Sequence, residues 1–437
     1  MTLKHDTYKK SIIKALYYAG TLSCTELSVQ IGKSYTLVVK TLDDLLQDKQ
    51  VIEKGFAESS GGRRSMTYSL PADSFYIVAV AMDQFVTRIC LYNAHRQQIG
   101  AIQKLELLLE GHPDALKTLT SAIQTAISGA RIPKEKIIGI GIAMPGFINA
   151  QKGANYTFMG EGITDYIQKQ IGLPAFIEND STAIGLAEYH FGKAYKKKNA
   201  MVINLSWGIG LGMLIEGRIF RGANGFAGEF SHIPVFKNGK LCSCGKTGCL
   251  ETETSLLFMI KKAVQEIGGG RASLLNRQIL ESGDYELKSS HFLEAARQGD
   301  SLTVEIISDV AYNIGRGIAI LIHLFNPETV VLSGRCSTCA TLWPPPIKRA
   351  LNEFCIPRLL TTTLELSELN HNAELLGASI LVIDQVSEQV VHKITASNNN
   401  DDDDDDDDKG DKGNNGYKDL NGDTQNTVSK PIEKAKG

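Results

Sequence analysis

Apolar positions in the first fifty residues recur at helical spacing. Over residues 7–19, Ile12, Ile13, Leu16 and Tyr17 share one face and Gly20 supplies a stop. A second short helix is expected from about Thr25, with Leu27 and Ile31 four residues apart and Gly32 closing it. Ser34 is an N-cap residue for a third, in which Leu37, Val38, Leu42, Leu45 and Leu46 repeat. Three short helices with a tight glycine turn form a helix-turn-helix pattern. After them, 51–54 and 66–70 read as strands flanking Ser59-Ser60-Gly61-Gly62-Arg63-Arg64, a hairpin whose glycine-rich tip presents two arginines. Residues 1–70 are therefore assigned as a winged helix-turn-helix domain.

Beyond Pro71 the period changes. Strands are expected at 76–82, 87–92 and 99–105, then a helix at 115–128 and a buried strand at 137–143. A second series follows: strands at 200–204 and 211–215, helices at 254–266 and 302–324, a strand at 329–333 and a terminal helix from Ala373 to about Val391. Two strand-rich units, each followed by helices, predict an internally duplicated α/β fold over 75–395 with a ligand cleft between its lobes.

Composition supports several folded units, since 437 residues exceed one ordinary core. No apolar run is long enough for a membrane helix, and the first residues lack a secretory pattern, so a soluble cytoplasmic protein is expected. Residues 398–437 hold twelve acids, eight of them the run Asp401–Asp408, against six lysines, and almost nothing apolar; this tail is expected to be disordered. Its removal turns the formal net charge from −3 to +3. The first seventy residues alone carry +3, which mildly favours nucleic acid.

Three of the eight cysteines fall within eight residues, Cys242-Ser243-Cys244-Gly245-Lys246-Thr247-Gly248-Cys249, shortly after Gly228-Glu229-Phe230-Ser231-His232. One imidazole and three thiolates make a closed tetrahedral set for zinc, and the two glycines let the backbone turn the sulfurs toward one ion. With no open coordination position, a zinc ion at His232, Cys242, Cys244 and Cys249 would be structural. Cys336 and Cys339 form a lone Cys-x-x-Cys and receive no role.

These two segments, with Leu250-Glu251 after them, resemble the signature of the ROK family of repressors, open reading frames and sugar kinases. The resemblance spans about residues 75–390 and implies an actin-like fold of two ribonuclease-H-like halves, in which the zinc knuckle steadies a sugar-binding loop. It implies further that Glu229 and Glu251 accept hydrogen bonds from sugar hydroxyls, and that His232 serves sugar and zinc through different ring nitrogens. Glu178-Asn179-Asp180 looks like the family's sugar-binding and catalytic motif, with Asp180 either the base of a kinase or a sugar ligand; capping of the next helix is compatible with both. Gly146, in Met144-Pro145-Gly146, matches the family's cleft loop, and Asn155 its sugar-contacting asparagine.

The nucleotide elements depart from the family's kinases. Asp83-Gln84-Phe85-Val86-Thr87 has a phenylalanine in place of the glycine of the first phosphate turn, and Ser206-Trp207-Gly208 a tryptophan in the second. The late glycine pair reads Gly334-Arg335. Together with the winged domain, this is similar to the family's repressor branch, which includes regulators responsive to xylose and N-acetylglucosamine. By the docking rule for the motif, Ser34, Tyr35, Thr36 and Lys40 at the start of the third helix are candidates for operator DNA, with Arg63 and Arg64 reaching phosphates or the minor groove. The expected protein is a homodimeric, sugar-responsive repressor whose effector is a monosaccharide or sugar phosphate. The alternatives are an ATP-dependent sugar kinase acting through Asp180, and a zinc-stabilised scaffold binding neither ligand.

Overall fold

The first helix, Thr2–Ala19, buries Ile12, Ile13, Leu16 and Tyr17 and is longer than expected at its amino end. The next, Cys24–Ile31, starts in a capping box: Ser23 Oγ accepts from the Glu26 amide at 3.3 Å, and Glu26 Oε2 accepts from the Ser23 amide at 2.8 Å. Gly32 closes it at φ +62°, and Tyr35–Gln47 follows. Ser34 occupies the cap position of that helix but its hydroxyl makes no capping bond. Strands Leu22–Ser23, Met66–Ser69 and Ile52–Phe56 pair in that order into a small antiparallel sheet. The computed structural model describes residues 2–57 and 64–385; the tip of the wing with Arg63, and the aspartate-rich tail, lie outside them.

Two five-stranded sheets follow, and they share one topology. In the first, Tyr76–Met82, Val86–Asn93 and Gln98–Glu106 form an antiparallel meander, while Ile137–Met144 and Ala175–Asn179 add in parallel on the other side. In the second, Ala200–Leu205, Ile209–Ile215 and Arg218–Ile219 form the meander, and Thr329–Ser333 and Thr363–Leu366 the parallel side. The duplication read from the strand rhythm is thus present strand for strand. Ile137–Met144 is buried along its whole length, as a parallel strand covered on both faces must be.

Between the sheets lie two helices. Ala373–Gln385 packs on the first sheet and Asp180–Phe191 on the second, and the two pack on each other. Close approach demands small residues here: a Cβ on Gly377 would sit 2.1 Å from the Ala183 carbonyl oxygen, and one on Gly212 2.6 Å from that of Ser181. Outer helices cover the remaining faces, Ala115–Gly129 and Ile163–Ile171 on the first sheet, Leu256–Gly268 and Ser301–Phe325 on the second.

The winged domain has no separate core. Its buried residues run continuously into Phe75, Ile77, Ile138, Val382 and Ile383 of the lobe beneath it. Tyr17 Oη lies 3.1 Å from Ser379 Oγ in that core. Beside it Tyr18 donates to Asp384 at 2.8 Å, Lys14 pairs with the same carboxylate at 2.6 Å, and the Tyr18 ring stacks on His190 with centroids 3.8 Å apart.

Candidate functional site

The metal cluster is built by short turns. His232 ends the 3-10 turn Phe230–His232, pinned by the buried Phe230, and Cys249 precedes the turn Leu250–Glu253. Gly245 and Gly248, both near φ +80°, reverse the chain between the cysteines as expected. Tetrahedral bonds of about 2.3 Å to sulfur and about 2.0 Å to nitrogen place neighbouring ligand atoms roughly 3.5–3.8 Å apart. Cys244 Sγ and Cys249 Sγ lie 3.6 Å apart, Cys242 Sγ and His232 Nδ1 3.5 Å, and all four ligand atoms fall within 4.8 Å of one another. The donor set and its spacing fit a divalent zinc ion. The Lys246 amide lowers the Cys244 thiol, while burial pushes Cys249 up to about 12, a penalty that a bound cation would offset.

A cavity of about 790 Å³ opens between the lobes beside this cluster. Gly146, Asn179, Asp180, Glu229, His232 and Glu251 all line it. Residues from four separate segments therefore converge on one cavity. Asn179 Oδ1 caps the helix Asp180–Phe191, accepting from the Ser181 and Thr182 amides at 3.0 and 3.1 Å, and its Nδ2 donates to the Gly146 carbonyl at 3.3 Å. Asp180 accepts from Ser181 and, through Oδ2, from Asn204 Nδ2 at 3.2 Å; burial raises its pKa to about 6, and Asp83 adds to the rise. Glu229 is pushed up to about 7 by burial and by the negative neighbours Asp180 and Glu251, and burial raises Glu251 as well. His232 turns Nδ1 toward Cys242 and leaves Nε2 3.8 Å from Glu229 Oε2, so one ring joins metal cluster and cavity wall.

Asn155 departs from the expectation. It is fully buried beneath the cleft loop, where Nδ2 donates to the Pro145 carbonyl at 3.1 Å and Oδ1 accepts from the Thr157 and Phe158 amides. With its amide spent on backbone, it shapes the wall from behind and does not line the cavity. Glu178 is likewise turned away, paired with Arg221 at 2.7 Å.

At the other end of the cleft, Phe85 stacks on Tyr285, ring centroids 3.7 Å apart and planes within 3°, and Trp207 meets both edge-on at 5.0 and 5.5 Å. Behind them Arg335, 6% exposed, donates to Glu286 at 2.6 Å, to Ser289 at 2.8 Å and to Asp83 at 3.2 Å. Lys104 also reaches Glu286, at 2.8 Å. Burial opposes ionisation of Glu286, yet Arg335 and Lys104 hold it down at about 2. In the turn after Tyr76–Met82, the amides of Phe85 and Val86 donate to Asp83 Oδ1 at 2.8 and 2.7 Å. Tyr285 and Glu286 carry no motif and were invisible in the sequence, because their partners Phe85, Lys104, Trp207 and Arg335 lie far off in the chain on both sides.

On the winged domain, Ser34, Tyr35, Thr36 and Lys40 are all exposed at the start of Tyr35–Gln47, Tyr35 to 55%. Arg64 is exposed at the edge of the wing. No helix among the described residues is long and apolar enough to cross a membrane.

Known proteins repeat this arrangement. A xylose repressor of Caldicellulosiruptor bescii is 28% identical over 394 residues, 88% of this chain and 97% of that protein. The crystal structure of a ROK family transcriptional regulator, a homologue of the Escherichia coli MLC protein, superposes with a TM-score of 0.70 at 25% identity, covering 89% of this chain and all of that one. A ROK family glucokinase from Streptomyces griseus, solved with glucose and AMPPNP, has a TM-score of 0.60 at 27% identity and covers 70% of this chain and 98% of its own. That coverage leaves the winged domain unmatched in size, whereas the two regulators extend over it. The sequence model of the ROK family matches residues 86–385, and with its strand-for-strand duplication and its Cys/His cluster at the cleft this chain belongs to the ROK family.

Proposed function

We propose that this protein is a sugar-responsive, DNA-binding transcriptional repressor of carbohydrate genes. The observation that carries the reading is one helix. Asp180–Phe191 begins in the cavity wall with Asp180 and carries His190 in its last turn, stacked on Tyr18 of the winged domain about 15 Å away at helical rise. A ligand that draws on Asp180 therefore acts on the element that seats the DNA-reading head.

Sugar hydroxyls are good donors to the carboxylates of Asp180, Glu229 and Glu251, and such charge-assisted bonds gain strength in a half-buried cleft. When bound, zinc would tie His232 to Cys242, Cys244 and Cys249 and hold the imidazole and Glu229 at the wall. Ser34, Tyr35, Thr36 and Lys40 are positioned for the major groove, and Arg64 for backbone phosphates. A homodimer reading two half-sites suits this motif. The size of the response equals the difference in sugar affinity between the DNA-competent and released states.

A second reading, sugar kinase activity, is favoured by Asp180, a buried carboxylate facing the cavity with a pKa near 6, as a general base requires. The Phe85, Trp207 and Tyr285 cluster stands against it, occupying the end of the cleft where a phosphate turn would need open glycine backbone. The test is retention of genomic fragments by the full chain with and without a panel of sugars, alongside ADP release from ATP and the same sugars. Fragments retained and then released by one sugar, without turnover, support a sensor. Steady hexose phosphorylation at ordinary enzymatic rates would replace it with a kinase.

A further inference from the structure

We infer that the cavity admits an uncharged sugar and rejects the phosphate ester of the same sugar. The inference rests on the sugar-sensing reading and narrows its ligand class. Five carboxyl groups line the cavity, those of Asp83, Glu110, Asp180, Glu229 and Glu251, and no lysine or arginine does among the described residues. Whether ionised or protonated, a carboxyl supplies no positive charge. Of the two lining histidines, His232 turns Nδ1 into the Cys cluster and Nε2 toward Glu229, which leaves His112 as one uncommitted imidazole against five acids.

The other devices that hold phosphate are also spent. A helix N-terminus is a ready anion site, and that of Asp180–Phe191 faces the cavity. Its first amides, however, already donate to the side chains of Asn179 and Asp180. In the turn after Tyr76–Met82, the Phe85 and Val86 amides are taken by Asp83. The guanidiniums in the neighbourhood of the cleft are committed: Arg88 to Glu374 and the His371 carbonyl, Arg221 to Glu178, and Arg335 to Asp83, Glu286 and Ser289. Phosphate recognition depends on such donors being free, bidentate arginine above all. Here a dianion would enter a wall dominated by carboxyl groups, with His112 alone to pair against. Neutral hydroxyls meet the opposite situation, since every carboxyl oxygen is an acceptor.

Isothermal titration of the full zinc-loaded chain tests this with matched probes: glucose, mannose and N-acetylglucosamine, each beside its 6-phosphate, and the 6-O-methyl ether of whichever sugar binds. A free sugar should bind at least about a hundredfold more tightly than its phosphate, like charges across a site being that costly. The methyl ether, which adds bulk without charge, should stay within about tenfold of the parent sugar, the range one extra carbon commands in a pocket. A phosphate binding as well as its parent overturns the inference and leaves the sensor intact. Equal loss for ether and phosphate also overturns it, because size and not charge would then discriminate. Failure of every sugar, free or esterified, removes the sensor reading itself and the inference with it.

Discussion

Cys244 is the most exposed ligand of the cluster and its loss leaves the rest of the wall standing, so it isolates the metal's contribution. Cys244→Ser should lower metal affinity by at least about tenfold and weaken sugar binding alongside, read by metal content and calorimetry on one preparation. Unchanged sugar affinity in a zinc-depleted sample would separate the two sites. Asp180 tests the wall differently. Its folded pKa, about 6, lies above the usual carboxylate value, so the folded state holds the proton more firmly than the unfolded one. Stability therefore falls as pH rises from about 4 through 6, and the cost of the ionised form is fully present above that. Asp180→Asn should raise stability at pH 7.5 by on the order of 2 kcal/mol, with the gain vanishing near pH 4, while sugar binding is lost. Asn204, whose buried Oδ1 lacks a partner, can turn its amide to accept from the new side chain. A denaturation series across pH reads it; equal stability of variant and parent at pH 7.5 would refute the burial argument. At this scale the metal ligands were legible because they are neighbours in sequence and the chemistry of Cys and His is distinctive. Asn155 was not: the same amide can meet a sugar or a backbone, and only the fold of its own loop, which consumes every donor and acceptor, decides.

Among elements, Asp180–Phe191 and Thr2–Ala19 meet where His190 stacks on Tyr18 and Phe191 lies beneath Arg96, 4.8 Å from its guanidinium. Tyr18→Ala removes the stack and the bond to Asp384 without touching the cavity. Sugar affinity of the DNA-free chain should stay within about threefold, while the release of DNA by sugar shrinks, since coupling requires an element both sites bias. Fluorescence anisotropy with and without sugar measures both; full release in the variant would rule out this route. Long periodic elements were legible from the sequence, including the first meander, the two long strands of the second, the helices at 115–129 and 301–325, and the strand at 329–333. Short ones were not. Arg218–Ile219 is two residues and Thr363–Leu366 four, too few for a period to register, yet each completes a sheet by pairing that topology supplies. Ile163–Ile171 has clear spacing, with Ile163, Ile167 and Ile171 at every fourth place, but Gly162 ahead of it gives no capping signal. Ser34 shows the converse, a capping residue at the right position whose hydroxyl makes no cap.

For the whole molecule, the two lobes meet at one end in a sugar-type wall and at the other in a seal of Phe85, Trp207, Tyr285 and Arg335. Phe85, Trp207 and Arg335 were evident from sequence; Tyr285, and the locking of all four to one another and to Glu286, were not, because the contacts join segments far apart in the chain. The seal makes ATP a poor ligand, and a thermal melt with magnesium and ATP should show no shift. Phe85→Gly should destabilise the chain by about 3 kcal/mol, as removal of a buried ring does, and open the turn enough for a nucleotide shift to emerge. A strong ATP shift in the parent chain would show that the seal opens freely.

The account as a whole predicts that sugar occupancy and DNA occupancy oppose each other in one polypeptide. The most direct measurement is a titration of a free sugar into the full-length chain bound to a genomic fragment it selects, followed by anisotropy at fixed salt, with the sugar's own Kd measured in parallel. The prediction is release that tracks sugar binding over the same concentration range, with DNA weakening sugar affinity by the same factor. Saturating sugar that leaves the DNA affinity unchanged would contradict it.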